Sequence, residues 1–384
     1  MAKKVKQLKP RPKQRPKRKR ARQKPQSYDY IILFVVITLV FFGIIMIFSS
    51  SYYDTLTDAD FNNDMYFYLK KQLQWAALGF IGMAIAMRLP IILYKRFSFL
   101  AYVFSNILLM LLPFIGKEVN GQKRWIFGFQ PSEVAKVSII LFMSYYISTH
   151  KDCLKDLKGF IKTGIIVGIP IVLIAISNLS TAIVVTAMGA AILFVASPKI
   201  WYFIVGGVIA GIGGVVAVTL PQFAYRFSRI KTWLDPFSDM LGSGYQVVQG
   251  LYAVASGGIF GLGLGQSRQK TFIPEAHTDI IFAIICEELG LVGAIVIISL
   301  FAILIWRGIK IALNSPDMFN CLTAVGITTM IGFQSLVNIA VVTNTIPNTG
   351  QPLPFISYGG TSLIFTMASA GILLNMSRYC KTDE

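Results

Sequence analysis

Residues 30–50 read YIILFVVITLVFFGIIMIFSS, a run of twenty-one residues with no charge and no proline. About 20 apolar residues carry a helix across the hydrocarbon core of a bilayer. The run is continuous rather than alternating, which points to a helix and not to a barrel strand. The segment before it has the opposite character. Residues 1–26 hold 13 of the 36 Lys and Arg, no acid, and prolines at 10, 12, 16 and 25. Such a segment cannot bury a core and is expected to be disordered. Its basic residues suit a topology anchor that touches anionic lipid, at roughly 1 kcal/mol per residue near the leaflet. A specific cytoplasmic partner is the other use for it, and nucleic acid is not expected. It is no secretory signal, because the apolar run is long and lacks a small-residue cleavage site.

Working outward, similar runs recur at 73–90, 97–116, 133–149, 163–177, 181–197, 200–220, 280–305, 319–343 and 358–377. Hydrophobic residues make up 54% of the 384 and charged residues 14%, against roughly 25% charged in soluble domains; mean hydropathy is +0.62. The expected fold is an all-α membrane protein, a polytopic bundle of about ten transmembrane helices. The net charge of +18 is distributed by side. With the tail inside, Arg88, Lys95, Arg96, Lys151, Lys155, Lys158, Lys162, Lys199, Arg307, Lys310, Arg378 and Lys381 fall on the same side, 25 basic residues in all. Ten fall opposite, and Lys136 lies within a helix. The first outer loop is acidic, with Asp54, Asp58, Asp60 and Asp64. The positive-inside rule then predicts a multi-pass plasma-membrane protein with both termini cytoplasmic. Two regions follow, a basic tail at 1–27 and a membrane domain at 28–380.

Cys153, Cys286, Cys321 and Cys380 show no metal-site spacing, and with only two histidines a Cys/His metal site is excluded by count. Three outer loops remain, 117–132, 221–279 and 344–357. The second is long enough to be functional, and its apolar stretch 245–265 is expected to lie on the membrane or dip into it under protein cover. Ionisable residues in or at the rim of spanning helices are candidates for chemistry. Asp279 stands where the eighth helix is expected to start, favoured there by the macrodipole, either as a plain helix-start residue or as a working carboxylate. His277, two residues earlier, suits a structural role, a substrate contact or proton transfer. Glu133 and Lys136 share one helical face, as a packing ion pair or a substrate contact. Lys123, Arg124 and Trp125 put two cations and an indole at the outer surface, although an interfacial Trp is often only an anchor. Glu287 and Glu288 are not expected to share one face, so one of them should pair with a cation inside the bundle. The glycines 261, 263 and 265 imitate a nucleotide loop but have no preceding strand.

The segments Gly265-Gln-Ser-Arg268-Gln-Lys270 and Ile273-Pro-Glu-Ala-His277-Thr-Asp279 resemble the signature of the SEDS glycosyltransferases, the FtsW, RodA and SpoVE group. So do Gly121-Gln-Lys-Arg124-Trp125, Gln130-Pro-Ser-Glu133-Val-Ala-Lys136, Asp235-Pro236 and Gly242-Ser-Gly-Tyr245-Gln246. Pro347-Asn-Thr-Gly350, Leu353-Pro-Phe-Ile-Ser357-Tyr358-Gly-Gly-Thr-Ser362 and Gly371-Ile-Leu-Leu-Asn375 complete the series in family order. The wording is closer to the FtsW/SpoVE branch. One departure stands out: where the family has Gln-Pro-Asp-Leu-Gly-Thr, this chain has Ile176-Ser-Asn178-Leu-Ser180-Thr181 and the acid is missing.

The resemblance implies a peptidoglycan polymerase that joins lipid II units through β-1,4 linkages and releases undecaprenyl diphosphate, in division or sporulation. It implies Asp279 as general base, with Lys123, Arg124, Lys136, Arg268 and Lys270 as cations for the diphosphate. Trp125, Glu133, His277, Ser357 and Tyr358 join them as substrate contacts. A class B penicillin-binding protein is the implied transpeptidase partner, alongside other division proteins. No cofactor is required by this reading, and a divalent cation, Mg2+ or Mn2+, is the one candidate. The competing class is a lipid II flippase or ion-coupled transporter, for which the intramembrane Glu133, Lys136, Glu287 and Glu288 would also serve. A pure division scaffold would need none of these polar residues.

Overall fold

The computed structural model describes residues 27–57, 64–119, 122–126, 128–150, 152–204, 206–207 and 224–380. Nine long helices lie within them. These are α1 (Tyr30–Thr57), α2 (Phe67–Arg88), α3 (Ile91–Ile115), α4 (Pro131–Thr149), α5 (Leu157–Ser177), α6 (Leu179–Ala196), α9 (Ile281–Asn314), α10 (Met318–Val342) and α11 (Gly360–Ser377). Two shorter helices, α7 (Ala224–Leu234) and α8 (Tyr245–Ser256), belong to the large outer loop. Most of the span expected at 200–220, and all of the tail but Ser27, fall outside the described residues. Among the nine, α1, α3, α5, α6, α9, α10 and α11 are long and apolar enough to cross a membrane. The helix α2 starts at Phe67 and α3 at Ile91, both ahead of the expected 73 and 97. Lys70, Lys71, Lys95 and Arg96 are helical despite their charge, because long basic side chains can lay their stems along apolar surface and put the charge in water.

The helices divide into an inner and an outer set. The inner helices α10 and α11 are mostly buried, whereas α3 and α5 leave most of their surface to lipid. In a bilayer, helices associate through small residues and close packing. The most extensive contact, α2 on α11, follows that rule. A Cβ on Gly371 would stand 2.5 Å from the Met83 carbonyl oxygen, so only glycine admits this approach. The Asn375 amide then donates to the carbonyls of Ala86 at 2.9 Å and Leu89 at 2.6 Å. Around this pair, α9 packs on α10 and α1, and α10 on α6 and α4.

The helix α9 is broken at Gly290, whose φ of 66° and ψ of −162° are not helical. The outer-loop segment after α8 fits into this break. Leu262 N–H donates to the Glu287 carbonyl at 2.9 Å and Gly263 N–H to that of Glu288 at 3.0 Å. A Cβ on Gly290 would meet Ile259 O and Gly261 N at 2.4 Å, so the positive φ and the close approach both require glycine there. The apolar stretch 245–265 thus packs on protein along one side, as α8 on α9 and a loop wedged into the helix break, while Tyr252, Ile259, Phe260 and Leu264 stay exposed on the other. The described residues of 117–132 include a two-stranded antiparallel ribbon of β1 (Lys117–Val119) and β2 (Gln122–Trp125).

The two ends of the bundle agree with the sidedness of the charges. Lys95 pairs with Asp317, and Arg307 with Asp29 at 2.6 Å, so segments assigned to one side meet there. Three of the loops assigned to the other side, 117–132, 221–279 and 344–357, meet in a single cleft.

Candidate active site at the outer end of the bundle

The cleft has a volume of about 700 Å³ and is lined by Arg124, Arg229, Tyr245, Gln246, Glu275, Asp279, Asn348 and neighbouring small residues. Each of these three loops contributes. Arg124 comes from β2, Arg229 from α7, Tyr245 and Gln246 from α8, Glu275 and Asp279 from the approach to α9, and Asn348 from the link between α10 and α11. The loops are tied together by side chains. Trp233 Nε1 donates to Asn344 O at 2.9 Å, Arg229 Nη1 to Asn348 O at 3.3 Å, and Asn348 Nδ2 to Gln246 Oε1 at 3.1 Å.

Asp279 is not a residue of α9. The helix begins at Ile281, Ile280 holds the cap position, and no side chain caps it there. What fixes Asp279 is its backbone. Asn338 on α10 spends both amide protons on carbonyl oxygens, donating to Asp279 O at 2.6 Å and to Gln351 O at 2.8 Å. Gln351 Nε2 in turn donates to Thr181 Oγ1 at 3.1 Å on α6. The carboxylate accepts from Thr278 Oγ1 at 3.1 Å. Burial is the largest influence on this carboxyl and pushes it above the usual carboxylate range, while Arg229 and Arg124 act in the opposite direction. A carboxylate raised in this way is a better proton acceptor than an ordinary one.

The segment with the missing acid sits beside this network. Asn178 Oδ1 accepts from Thr181 N–H at 3.1 Å, so asparagine supplies the helix cap that an aspartate would supply, without the charge. Ser180 Oγ donates to Thr349 O at 2.6 Å and holds the link that carries Asn348.

Of the other residues expected at the site, Arg124 alone joins Asp279 in lining the cleft. Lys123 Nζ turns back to Pro113 O at 3.0 Å, and Trp125 pairs with Lys117 across the ribbon. Glu133 and Lys136 form a buried ion pair of 2.9 Å within α4. Arg268 is exposed and does not line the cleft, and its backbone N–H donates to Glu287 Oε1 at 3.0 Å. Lys270 is buried, with Nζ 2.7 Å from Gly265 O, 3.6 Å from Glu288 Oε1 and 4.5 Å from the centre of the Tyr52 ring. His277 is buried between Tyr68, at 4.1 Å, and Tyr358, at 5.4 Å between ring centres. Burial lowers its pKa to about 4, so it is neutral at physiological pH. Ser357 Oγ accepts from Leu353 N–H at 2.8 Å and closes a turn.

One of the two adjacent acids, Glu288, has the expected cation inside the bundle, Lys270 at 3.6 Å, and both acids bind the one 265–270 segment. Both are fully buried. Ser267 Oγ and the backbone N–H of Arg268 donate to Glu287, while Ser49 Oγ donates to Glu288 at 2.6 Å. They can do so because the 265–270 segment folds around the end of the half-helix just before the Gly290 break. The cleft offers a divalent cation no protein-built cage. No group of three or more His, Cys, Asp and Glu occurs among the described residues.

With this geometry in place, comparison with known proteins is decisive. The FtsW/RodA/SpoVE family model, described as cell cycle protein, matches residues 29–382. The chain belongs to this family. It is 40% identical to the stage V sporulation protein E of Bacillus subtilis (strain 168) over 368 residues, covering 93% of this chain and 99% of that one. It is 38% identical to the probable peptidoglycan glycosyltransferase FtsW of Geobacter sp. (strain M18), covering 92% and 98%. Among solved structures, it is similar to a chain of a peptidoglycan synthase complex that coordinates polymerization and crosslinking. That likeness has a TM-score of 0.76 at 27% identity, over 91% of this chain and 98% of that one. The rod shape determining protein RodA of Thermus thermophilus matches with a TM-score of 0.67 at 25% identity, over 93% and 98%. Arg229, Asn338 and Asn348 were not singled out from this FtsW/RodA/SpoVE chain's sequence. Arg229 is one of several basic residues in α7, and only the folded link to Asn348 distinguishes it.

Proposed function

We infer that this chain is a peptidoglycan glycosyltransferase that polymerises glycan strands from lipid II in division or sporulation, releasing undecaprenyl diphosphate. The observation that carries this reading is the outer cleft, where a carboxyl raised by burial shares one wall-to-wall space with two arginines. In the reaction, the acceptor hydroxyl oxygen attacks the anomeric carbon of the donor. The bond from that carbon to the diphosphate oxygen breaks, and its electron pair leaves on the diphosphate. Asp279 accepts the hydroxyl proton, and Arg124 and Arg229 stabilise the departing charge. A general base contributes ~10²–10⁴ in rate, and fixed charges in a water-poor site often contribute more. A single displacement inverts the anomeric centre, as a β-1,4 product from an α-linked donor requires.

The buried charges argue against a carrier. A transporter needs ionisable groups on a path near the bilayer midplane, whereas Glu133 is paired with Lys136 and Glu287–Glu288 with the 265–270 segment. The similarity to a complex that both polymerises and crosslinks supports a class B penicillin-binding transpeptidase as partner. The sidedness of the charges supports cytoplasmic termini. The test is glycan formation from labelled lipid II by the purified chain, alone and with a cognate transpeptidase. Polymer expected from wild type and absent from Asp279→Asn supports the reading. Movement of lipid II across vesicles without polymer would replace it with the flippase reading.

A further inference from the structure

The opposite end of the bundle has a cavity of its own, of about 260 Å³, where the start of α1 meets the ends of α9 and α11. Arg307, Lys310 and Asn314 of α9 line it, with Tyr28 and Asp29 ahead of α1 and Ser377 at the end of α11. Among the described residues Asp29 is the one acid in its wall, and that carboxylate is already engaged. Its Oδ1 accepts from the N–H groups of Ile31 at 3.1 Å and Ile32 at 3.2 Å, and its Oδ2 from Arg307 Nε at 2.8 Å and Nη2 at 2.6 Å. Asp29 therefore caps α1 and offsets one arginine, and Lys310 keeps the wall cationic. Arg378 stands close by, 4.8 Å from the centre of the Tyr28 ring. The neighbouring aromatics mark the depth. Trp306 is 56% exposed, with Arg307 at 6.0 Å and Lys310 at 5.7 Å from its ring centre, and Tyr30 is 66% exposed. Exposed Trp and Tyr beside basic residues belong to the headgroup layer of a bilayer, and the exposed Phe34 and Ile303 continue from them along α1 and α9.

We propose that this cavity binds the headgroup phosphate of an anionic phospholipid of the cytoplasmic leaflet, with Lys310 and Arg307 on the phosphate. The leaflet rests on the reading that both termini are cytoplasmic; the pocket does not. Charge complementarity supports the occupant, since basic pockets between spanning helices on that side bind anionic headgroups. Arg307 spends Nε and Nη2 on Asp29, and Nη1 remains for a further acceptor. Size supports it too. The cavity is smaller than the roughly 300–1,000 Å³ of sites for drug-sized ligands, so it takes a headgroup and leaves the acyl chains on the apolar surface of α1 and α9. The aromatic rim favours a lipid over a soluble acidic partner. This site differs in kind from the basic residues 1–26, whose charge acts on any anionic surface, because folded helices give it a shape. A phosphate held there would join three helices that are already linked by Asp29 N–H donating to Ser377 Oγ at 3.1 Å. One of the three, α9, carries the approach of Asp279 at its other end.

The test is photolabelling of the full-length chain in uncharged detergent micelles doped with a phosphatidylglycerol that carries a diazirine next to its headgroup. Micelles have no sides and labelling needs no turnover, so the result stands apart from topology and from glycan synthesis. Label should concentrate on segments 27–31 and 303–314, well above that on the lipid-facing residues of α5. Unlabelled phosphatidylglycerol should displace it about tenfold better than phosphatidylcholine, whose headgroup has no net charge. Lys310 is exposed, so Lys310→Gln should fold with an unchanged melting temperature in lipid-free detergent. It should lower labelling about fivefold, the equivalent of roughly 1 kcal/mol for one cation at the leaflet, and Lys310→Arg should keep it. Deleting residues 2–24 removes 13 basic residues and should leave label on the two segments. Four results would each overturn the pocket: equal displacement by phosphatidylcholine (an acyl-chain seam only), equal displacement by inorganic phosphate (a free-anion site only), wild-type labelling of Lys310→Gln, or loss of label with the tail. Equal displacement by a poly-glutamate peptide would hand the cavity to an acidic protein partner instead. Cleavage of the tail by protease outside intact cells would overturn the leaflet alone.

Discussion

The outer cleft and the 265–270 anchor are built from the same residue types and use them in opposite ways. In the cleft, Asp279, Arg124 and Arg229 line a space of about 700 Å³. In the anchor, Glu287, Glu288 and Lys270 are fully or almost fully buried, and their partners are Ser49, Ser267, Gly265 and backbone N–H groups. Both sets lie close to the same stretch of chain, on either side of the entry to α9. What separates them is where their unused bonding capacity points. Charges closed on one another fix a backbone, whereas charges facing a cavity act on whatever enters it. An ionisable residue in a membrane helix marks a site only when the second condition holds.

The largest effect on turnover should come from Asp279→Asn. The swap is nearly isosteric, and the Asn338 bond goes to the backbone carbonyl of residue 279, which survives. Polymerisation of labelled lipid II should fall by ~10²–10⁴, with thermal stability little changed. Lys270→Met should break the comparison from the other side. Removing one partner of a buried pair leaves an uncompensated charge and costs about 3–5 kcal/mol. The midpoint of thermal unfolding should drop sharply, while turnover per folded molecule at low temperature stays within about an order of magnitude. A Lys270→Met protein of normal stability without turnover would move Lys270 into the catalytic set.

Asn338→Leu should fall between the two. It deletes both donors that bind Asp279 O and Gln351 O, and leaving such buried acceptors unpaired costs about 1–3 kcal/mol. Because the carboxylate itself remains, the rate should fall by about tenfold with an altered pH profile, which a purely structural defect would not produce. Asn338→His, which can restore one donor, should recover part of the loss. Arg229→Gln has a signed effect on the same profile. Arg229 lowers the pKa of Asp279, opposing burial. Its removal should raise that pKa further, so the acidic limb of the rate profile should move to higher pH. An unmoved limb would mean that Arg229 does not act on Asp279.

Much of the fold was legible because lipid makes few demands and enforces them strictly. Continuous apolar runs located the nine long helices of the described residues in their order, and the basic residues predicted which of their ends lie together, as the Lys95–Asp317 and Arg307–Asp29 pairs bear out. Helix starts were misjudged at α2 and α3, where charged residues are helical. The Gly290 break was hidden inside an unbroken apolar pattern, and with it the reason Glu287 and Glu288 can serve one segment. At the site, Asp279 and Arg124 could be reached from sequence, since each is an outer charge beside an expected helix. Arg229, Asn338 and Asn348 could not, because their roles come from contacts spanning 59 to 119 residues of chain. Lys270 and Lys136 were named for the charge they carry, but whether a lysine meets a cavity or a carboxylate is decided by tertiary packing.

The smallest effect on turnover should come from His277→Phe, and it sharpens the comparison because His277 lies two residues from Asp279. Its ring is buried between Tyr68 and Tyr358, and its Nδ1 has no hydrogen-bond partner. Tyr358 N–H donates to the His277 backbone oxygen at 2.9 Å, a bond that phenylalanine keeps. With its pKa lowered to about 4 by burial, the ring is neutral across the working range and moves no proton there. The rate between pH 6 and 8 should therefore change by less than about tenfold. Stability should change in a signed way. The unfolded chain protonates this histidine below its ordinary pKa of about 6.5, while the folded chain does so only near pH 4. The wild type should then lose stability as pH falls through that window, by up to about 3 kcal/mol from this group. His277→Phe should lack that part of the loss, so the two proteins' unfolding midpoints should diverge from pH 6.5 down to 4. Parallel curves with a large loss of turnover at neutral pH would instead place His277 with Asp279, among the groups that act on the substrate.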